Sequence, residues 1–228
     1  MNTGSNPVRE NIPTLQDLWD LIRKIDNEDA QNIALAMELY VTGSMNMFNC
    51  RTNVDLNNRL ICFDVQKLTK NLKQLGMLIV QDAVWSKVTI NRNQHMKTWY
   101  YMDEFHLLLG EPETAQYTID IFKRFRKWGG RPTAITQNVS DLFVTKSVQS
   151  IIKNINFVLM LSQSSDDREA LAKMLSISPE QLNFVKNSGV GEGLIRCEGI
   201  ILPFRDKFPD DTELYKVMTT KPEEVRAA

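Results

Sequence analysis

The sequence is poor in the residues that build metal clusters and disulfide scaffolds. Its three cysteines, Cys50, Cys62 and Cys197, are widely spaced and odd in number, which excludes a CxxC metal or redox motif and fits a reducing compartment. Two histidines, His95 and His106, are too few for a histidine-based metal centre. The longest unbroken apolar runs, GMLIV and FVLML, fall far short of the roughly 20 residues a membrane span needs. The polar start MNTGSNPVREN is not expected to act as a signal peptide. A net charge of −1 over 228 residues gives no global attraction to nucleic acid or anionic lipid, so any such binding must come from a local patch. None of the ten glycines is followed by lysine, so the phosphate loop G-x-x-x-x-G-K-[ST] does not occur in the sequence. The expectation from these absences is a cytosolic protein. With 43% hydrophobic and 24% charged residues, it has the composition of an ordinary globular domain with a sizeable core.

The patterning that is present alternates helices with short apolar strands. Residues 1–13 read as a disordered lead. TLQDLWDLIRKI follows, with Thr14 as cap, Asp17 three residues on, and Leu18, Leu21, Ile22 and Ile25 at helical spacing. A second amphipathic helix is predicted from Glu28 to Val41, with Ala30, Ile33, Ala34, Met37 and Val41 on one face. RLICFDV (59–65) suits a buried strand, 67–90 a long helix, and 98–103 a strand. Glu113–Trp128 reads as a helix with Pro112 in its first turn and Gly129-Gly130 as its stop. RPTAITQN (131–138) is a further strand, 145–154 a helix, and NFVLMLS (156–162) a continuous apolar strand. Two capped helices, SDDREALAKML and SPEQLNFVKN, precede a hairpin or bent strand pair over 191–204. Strands without polar alternation argue for a mostly parallel sheet covered by helices on both faces. The fold class expected is α/β, organised as a helical segment (14–45), an α/β core (59–206) and a tail (207–228).

Within this frame the stretch TWYYMDEFHLLL stands out. Asp103 and Glu104 follow an apolar strand directly, and ligands of α/β sheets bind beyond the carboxyl ends of strands. An apolar strand ending in Asp-Glu is the Walker B pattern. There the Asp carries magnesium, usually through water, and the Glu orients and deprotonates the water that attacks the γ-phosphate. The plain alternative is a solvated acidic strand-to-loop junction. Downstream, KRFRKWGGR carries five basic residues in nine. They suit a helix C-terminus or an arginine finger presented to a neighbouring subunit. Thr136 and Gln137 end the next strand, where a polar side chain can sense the γ-phosphate or hold the water. Asn138 is alternatively a helix cap. GVGEG reads as a turn, His106 as packed or surface-exposed, and Asp166-Asp167 as an acidic first helical turn. Trp85, Trp99 and Trp128 read as core or snorkelling residues.

Taken in order, AMELYVTGSMNMFNCRTNVDLNNRLICFDV, YYMDEFHLLL, IFKRFRKWGGRPTAITQNV, GEGLI and TELYKVMTTKP closely resemble the C-terminal part of the conjugative-transfer ATPases of Gram-positive mobile elements. These are type IV secretion traffic ATPases of the FtsK/HerA branch of P-loop proteins. The resemblance runs from about Thr14 to Val225. It implies a partial RecA-like core, ATP and Mg2+ as ligands of the intact family member, and a ring of like subunits. It also implies transfer-channel proteins at the inner face of the membrane as partners. By motif, Asp103 and Glu104 match Walker B, and Arg126 and Lys127 match the basic RKxGG element, with Arg124 as the neighbouring finger candidate. Gln137 matches the strand-end glutamine of TQ. The family's Walker A loop is missing, so the chain resembles a C-terminal piece, a split reading frame or a degenerate paralogue, and is expected to hydrolyse ATP negligibly by itself. Two other readings stay open: a non-catalytic interaction module of a transfer channel, and DNA binding through Lys123, Arg124, Arg126, Lys127 and Arg131.

Overall fold

The computed structural model describes residues 12–137, 139, 142, 148, 149, 151, 152 and 155–220. Two compact units result, Met1–Gly76 and Met77–Ala228. Most of the expected lead, the tail end of the chain and much of the expected 145–154 helix lie outside the described residues; 148, 149, 151 and 152 are helical.

In the first unit, α1 (Leu15–Ile22) begins with a full capping box between Thr14 and Asp17. The Thr14 backbone N–H donates to the Asp17 carboxylate at 2.7 Å. That bond and the Thr14 hydroxyl hold its pKa below the usual carboxylate value. Asn27 caps α2 (Glu28–Val41) by accepting from the N–H groups of Asp29 and Ala30. The two helices are joined by the Trp19 indole, which donates to the Ala34 carbonyl at 2.8 Å. Ala34 and Val41 are buried, whereas Ile33 is 53% exposed, so the buried stripe of α2 is narrower than its periodicity suggests. RLICFDV forms no strand. Ile61, Phe63 and Val65 are half-buried, alternating with exposed Leu60, Cys62 and Asp64, in irregular chain. The apolar run supplies a strand's side chains, and no described strand pairs with its backbone.

Helix α3 (Lys70–Asn93) starts in the first unit and supplies the second with Met77, Gln81, Val84 and Val88, all buried. Strand β1 (Thr98–Met102) runs parallel to β2 (Gly130–Ala134), with Thr98 opposite Gly130 and Met102 opposite Ala134. The crossover between them is α4 (Pro112–Arg124) followed by a tighter turn over Phe125–Trp128. Pro112 stands in the first turn, and Gly129 ends the helix at φ 80°, a conformation that favours glycine. The face of α4 turned inward buries Thr114, Thr118, Ile119, Ile121 and, just beyond its end, Phe125. Gln81 is also fully buried and donates to the Thr118 hydroxyl at 2.7 Å. Tyr100 faces this packing, and burial pushes its hydroxyl pKa up to about 12. Met77, Met102, Phe105 and Leu108 form one core cluster under the end of β1.

The second sheet is antiparallel: β3 (Phe157–Met160), β4 (Glu192–Cys197) and β5 (Ile200–Arg205), in that spatial order. Glu198 and Gly199 both have positive φ, at 49° and 90°. That pair makes the tight hairpin turn whose twist matches the strands. Helices α5 (Ser165–Leu175) and α6 (Pro179–Lys186) are capped by Ser164 and Ser178. Their Leu171, Leu175 and Val185 join Met160 and Leu194 in a second core. The opposite face of this sheet exposes Phe157, Leu159, Ile200 and Leu202. Unbroken apolar strands here therefore do not mark cover on both faces by the described residues. A short helix α7 (Glu213–Met218) follows. The class is α/β with one parallel pair and helices packed on it. No described helix is long and apolar enough to cross a membrane.

Candidate functional site

The end of β1 sets Asp103 and Glu104 between two buried residues. Met102 before them and Phe105 after them are both 3% exposed, so the intervening backbone is pinned at each side. Phe105 N–H donates to the Ile135 carbonyl at 2.9 Å, and Ile135 N–H donates to Met102 at 2.9 Å. These bonds carry the parallel pairing one step past both strands. Asp103 stays exposed. Glu104 takes left-handed backbone angles, φ 47° and ψ 50°, which are uncommon and costly for a residue with a long side chain. Its N–H donates to the Asp103 carboxylate at 3.0 Å. Residues 105–108 then form a short tight helix, anchored by buried Phe105 and Leu108.

Gln137 meets this turn from the parallel neighbour. Its Nε2 donates to Oε1 of Glu104 at 3.1 Å, across 33 positions of sequence. Thr136 is half-buried beside it. Strand β2 ends at Ala134, so Thr136 and Gln137 lie just beyond the strand and not within it as the 131–138 expectation had it. Asn138 lies outside the described residues. His106, read from sequence as packed or surface-exposed, belongs to the group as well. Its Nδ1 lies 3.3 Å from the second Glu104 oxygen, Oε2. No sequence signal marks it: the left-handed backbone at Glu104, a feature of the folded chain, brings residue 106 near residue 104.

Asp103 gives one oxygen to the Glu104 N–H and leaves its carboxylate open to solvent. No group of three or more metal-ligating side chains occurs among the described residues. A single exposed carboxylate fits magnesium, which keeps several waters and is shared with substrate phosphates, better than a cation that needs a full protein cage. A cleft of about 160 Å³ lies between α3 and α4, lined by Trp85, Tyr117, Asp120, Ile121 and Arg124. None of the acid-pair residues lines it.

The basic residues stand elsewhere. They cluster where α4 ends and β2 begins, beside the first residues of both parallel strands. Four steps of about 3.3 Å separate that end of β1 from Met102, so the tip is roughly 13 Å or more from the acid pair. Within one chain Arg124, Arg126, Lys127 and Arg131 are thus not brought to Asp103 and Glu104. Arg124 lies over the Trp85 ring at 5.2 Å and Arg131 over Trp99 at 4.6 Å, each with its cation engaged on an aromatic face. Arg126 and Lys127 are exposed at the tip.

A sequence model of the TraG P-loop domain matches residues 18–188. Among solved structures, VirB4 of Thermoanaerobacter pseudethanolicus is similar in fold, with a TM-score of 0.76 at 23% identity. The match covers 93% of this chain and 59% of that one, so the present chain spans little more than half the length of the structure it resembles. No curated protein sequence matches significantly.

Proposed function

Because the chain belongs to the TraG P-loop domain family, the P-loop ATPases of conjugative transfer and type IV secretion, we propose that it carries the Walker B half of an ATP-hydrolysing site. In this reading residues 14–228 are the C-terminal part of a RecA-like ATPase domain, and the phosphate loop comes from sequence outside these 228 residues. Asp103 holds hydrated magnesium. Glu104 orients the attacking water and takes its proton. Gln137 tethers Glu104 and, with Thr136, reports on the γ-phosphate. Bound Mg-ATP supplies the phosphoryl group and the positive charge that steadies it. Arg126 serves the site of a neighbouring subunit, with Lys127, Arg124 and Arg131 as supporting cations. The assembly is a ring at the cytoplasmic face of a transfer channel.

The observation that carries this reading is the Gln137–Glu104 hydrogen bond. It joins two parallel strand ends at the position where α/β sheets bind ligands, and an accidental acidic junction has no need of it. The test is turnover in an assembly that supplies the phosphate loop. Glu104→Gln is expected to lower kcat by about 10²–10⁴, and Arg126→Ala by about 10³ or more. Mixing the two inactive variants should restore partial activity if Arg126 acts between subunits. Unchanged turnover in Glu104→Gln would end the reading.

The lack of a phosphate loop favours one second reading, a non-catalytic module that docks on an intact ATPase or on channel proteins. In that case Asp103→Ala leaves incorporation and partner capture intact, and no assembly gains turnover from the chain. DNA binding through Lys123–Arg131 would show as affinity falling steeply with salt.

A further inference from the structure

Gln137 alone does not fix the Glu104 carboxylate. One hydrogen bond to one oxygen leaves the group free to rotate about its Cγ–Cδ bond, and two contacts on different oxygens set its plane. The second contact is His106. Its Nδ1 lies 3.3 Å from Oε2 while Gln137 holds Oε1. That Nδ1 is buried and makes no other hydrogen bond among the described residues; its approach to Oε2 meets the distance of a polar contact but not the angle of a hydrogen bond. A buried polar atom left this way is costly. The cheapest way to satisfy it is a small turn of the ring toward Glu104. Phe105 and Leu108, before and after it in sequence, are buried, and Leu109 N–H donates to the His106 carbonyl at 3.0 Å, so the backbone that carries the imidazole is held.

We propose that His106 is a positioning residue for the reaction: as the Nδ1–H tautomer it donates to Oε2 of Glu104 and, with Gln137 on Oε1, sets the carboxylate plane that faces the attacking water. This rests on the reading of Glu104 as the residue that activates water. His106 does not touch nucleotide or water itself. A hydrogen bond to a charged carboxylate is worth roughly tenfold to a hundredfold in an equilibrium or rate, which sets the size of the expected effect.

Two measurements test it. The chain has only two histidines, so ring 15N spectra of the 228-residue protein in mildly alkaline buffer resolve both. His106 is expected as the Nδ1–H tautomer, and Glu104→Gln should move its ring signals while those of exposed His95 stay put. An Nε2–H tautomer at His106, or no response to Glu104→Gln, overturns the proposal. In an assembly with the phosphate loop, His106→Ala should lower kcat about tenfold or more with KM unchanged. His106→Asn, whose amide nitrogen can stand where Nδ1 was, should recover most of that loss, and His106→Gln should not. Full activity in His106→Ala beside a dead Glu104→Gln overturns the positioning role and leaves the Walker B reading intact. Full activity in Glu104→Gln overturns both, even if the spectra show the contact.

Discussion

Replacing Gly130 by alanine would place a methyl carbon 2.6 Å from Cδ2 of Phe125, 2.8 Å from Cγ and 3.0 Å from Cβ. Phe125 has nowhere to go. It is fully buried, with the Trp85 ring at 5.0 Å and Tyr100 at 6.5 Å. The contact is with the root of the side chain and not its far end, so a rotamer change cannot relieve it and the backbone of β2 or of the 125–128 turn must shift. Overpacking of this kind costs about 1–3 kcal/mol, and the unyielding neighbours put Gly130→Ala toward the upper end. Phe125→Leu shortens the obstruction and alone should cost about 1–2 kcal/mol in lost burial. If the clash is the cause, the double variant is less destabilised than the sum of the two, with a coupling of about 1 kcal/mol or more. Urea unfolding followed by tryptophan emission measures all four proteins, since Trp85 and Trp128 flank the site at a ring separation of 5.7 Å. Gly130→Ala within about 0.5 kcal/mol of the parent, or strict additivity, would refute the reasoning.

Two further outcomes follow from the same structure. Thr118→Val removes the hydroxyl that pairs with fully buried Gln81 at 2.7 Å; it should cost about 1–3 kcal/mol in urea unfolding, and adding Gln81→Met should recover part of that loss. The Glu192 carboxylate is held below its ordinary pKa first by the Gly189 N–H and then by Arg205, whose Nε lies 2.6 Å away. A depressed carboxylate contributes stability that is present above its unfolded value, near 4.3, and is lost as pH falls through the lower folded value. Melting temperature should therefore drop more between neutral and acid pH in the parent than in Glu192→Gln; equal slopes would contradict this.

Local signals made much of the fold legible. Thr14 with Asp17 announced the start of α1 and SPEQLNFVKN that of α6, and Thr14 and Ser178 make capping bonds there, while the cap of α5 is Ser164, one residue ahead of the expected SDDREALAKML. Pro112 and Gly129 bracketed α4 as their backbone limits require. Less legible was everything that depends on a distant partner. RLICFDV has strand-like residues, yet pairing is supplied by a neighbour and not by composition, and no described strand meets it. The apolar runs around Phe157 and Ile200 looked doubly buried because sequence cannot say which face another element covers. At the site, Asp103, Glu104 and Gln137 could be singled out by type and by position after apolar strands. The left-handed turn at Glu104 and the approach of His106 could not, since both depend on how the segment folds around buried Phe105 and Leu108. Likewise the basic run was plain in sequence, while its place at the opposite end of the strands needed the parallel register of β1 and β2.

The central claim is that Asp103, Glu104 and Gln137 are a working half of a hydrolytic site whose phosphate-gripping half this sequence lacks. ATP turnover by the purified 228-residue chain tests it most directly, measured beside Glu104→Gln. The account predicts turnover indistinguishable between the two and at background, because nothing in the chain supplies the glycine-rich loop, its lysine and its hydroxyl. Turnover by the parent that Glu104→Gln abolishes would contradict it, for the site would then be complete within these residues.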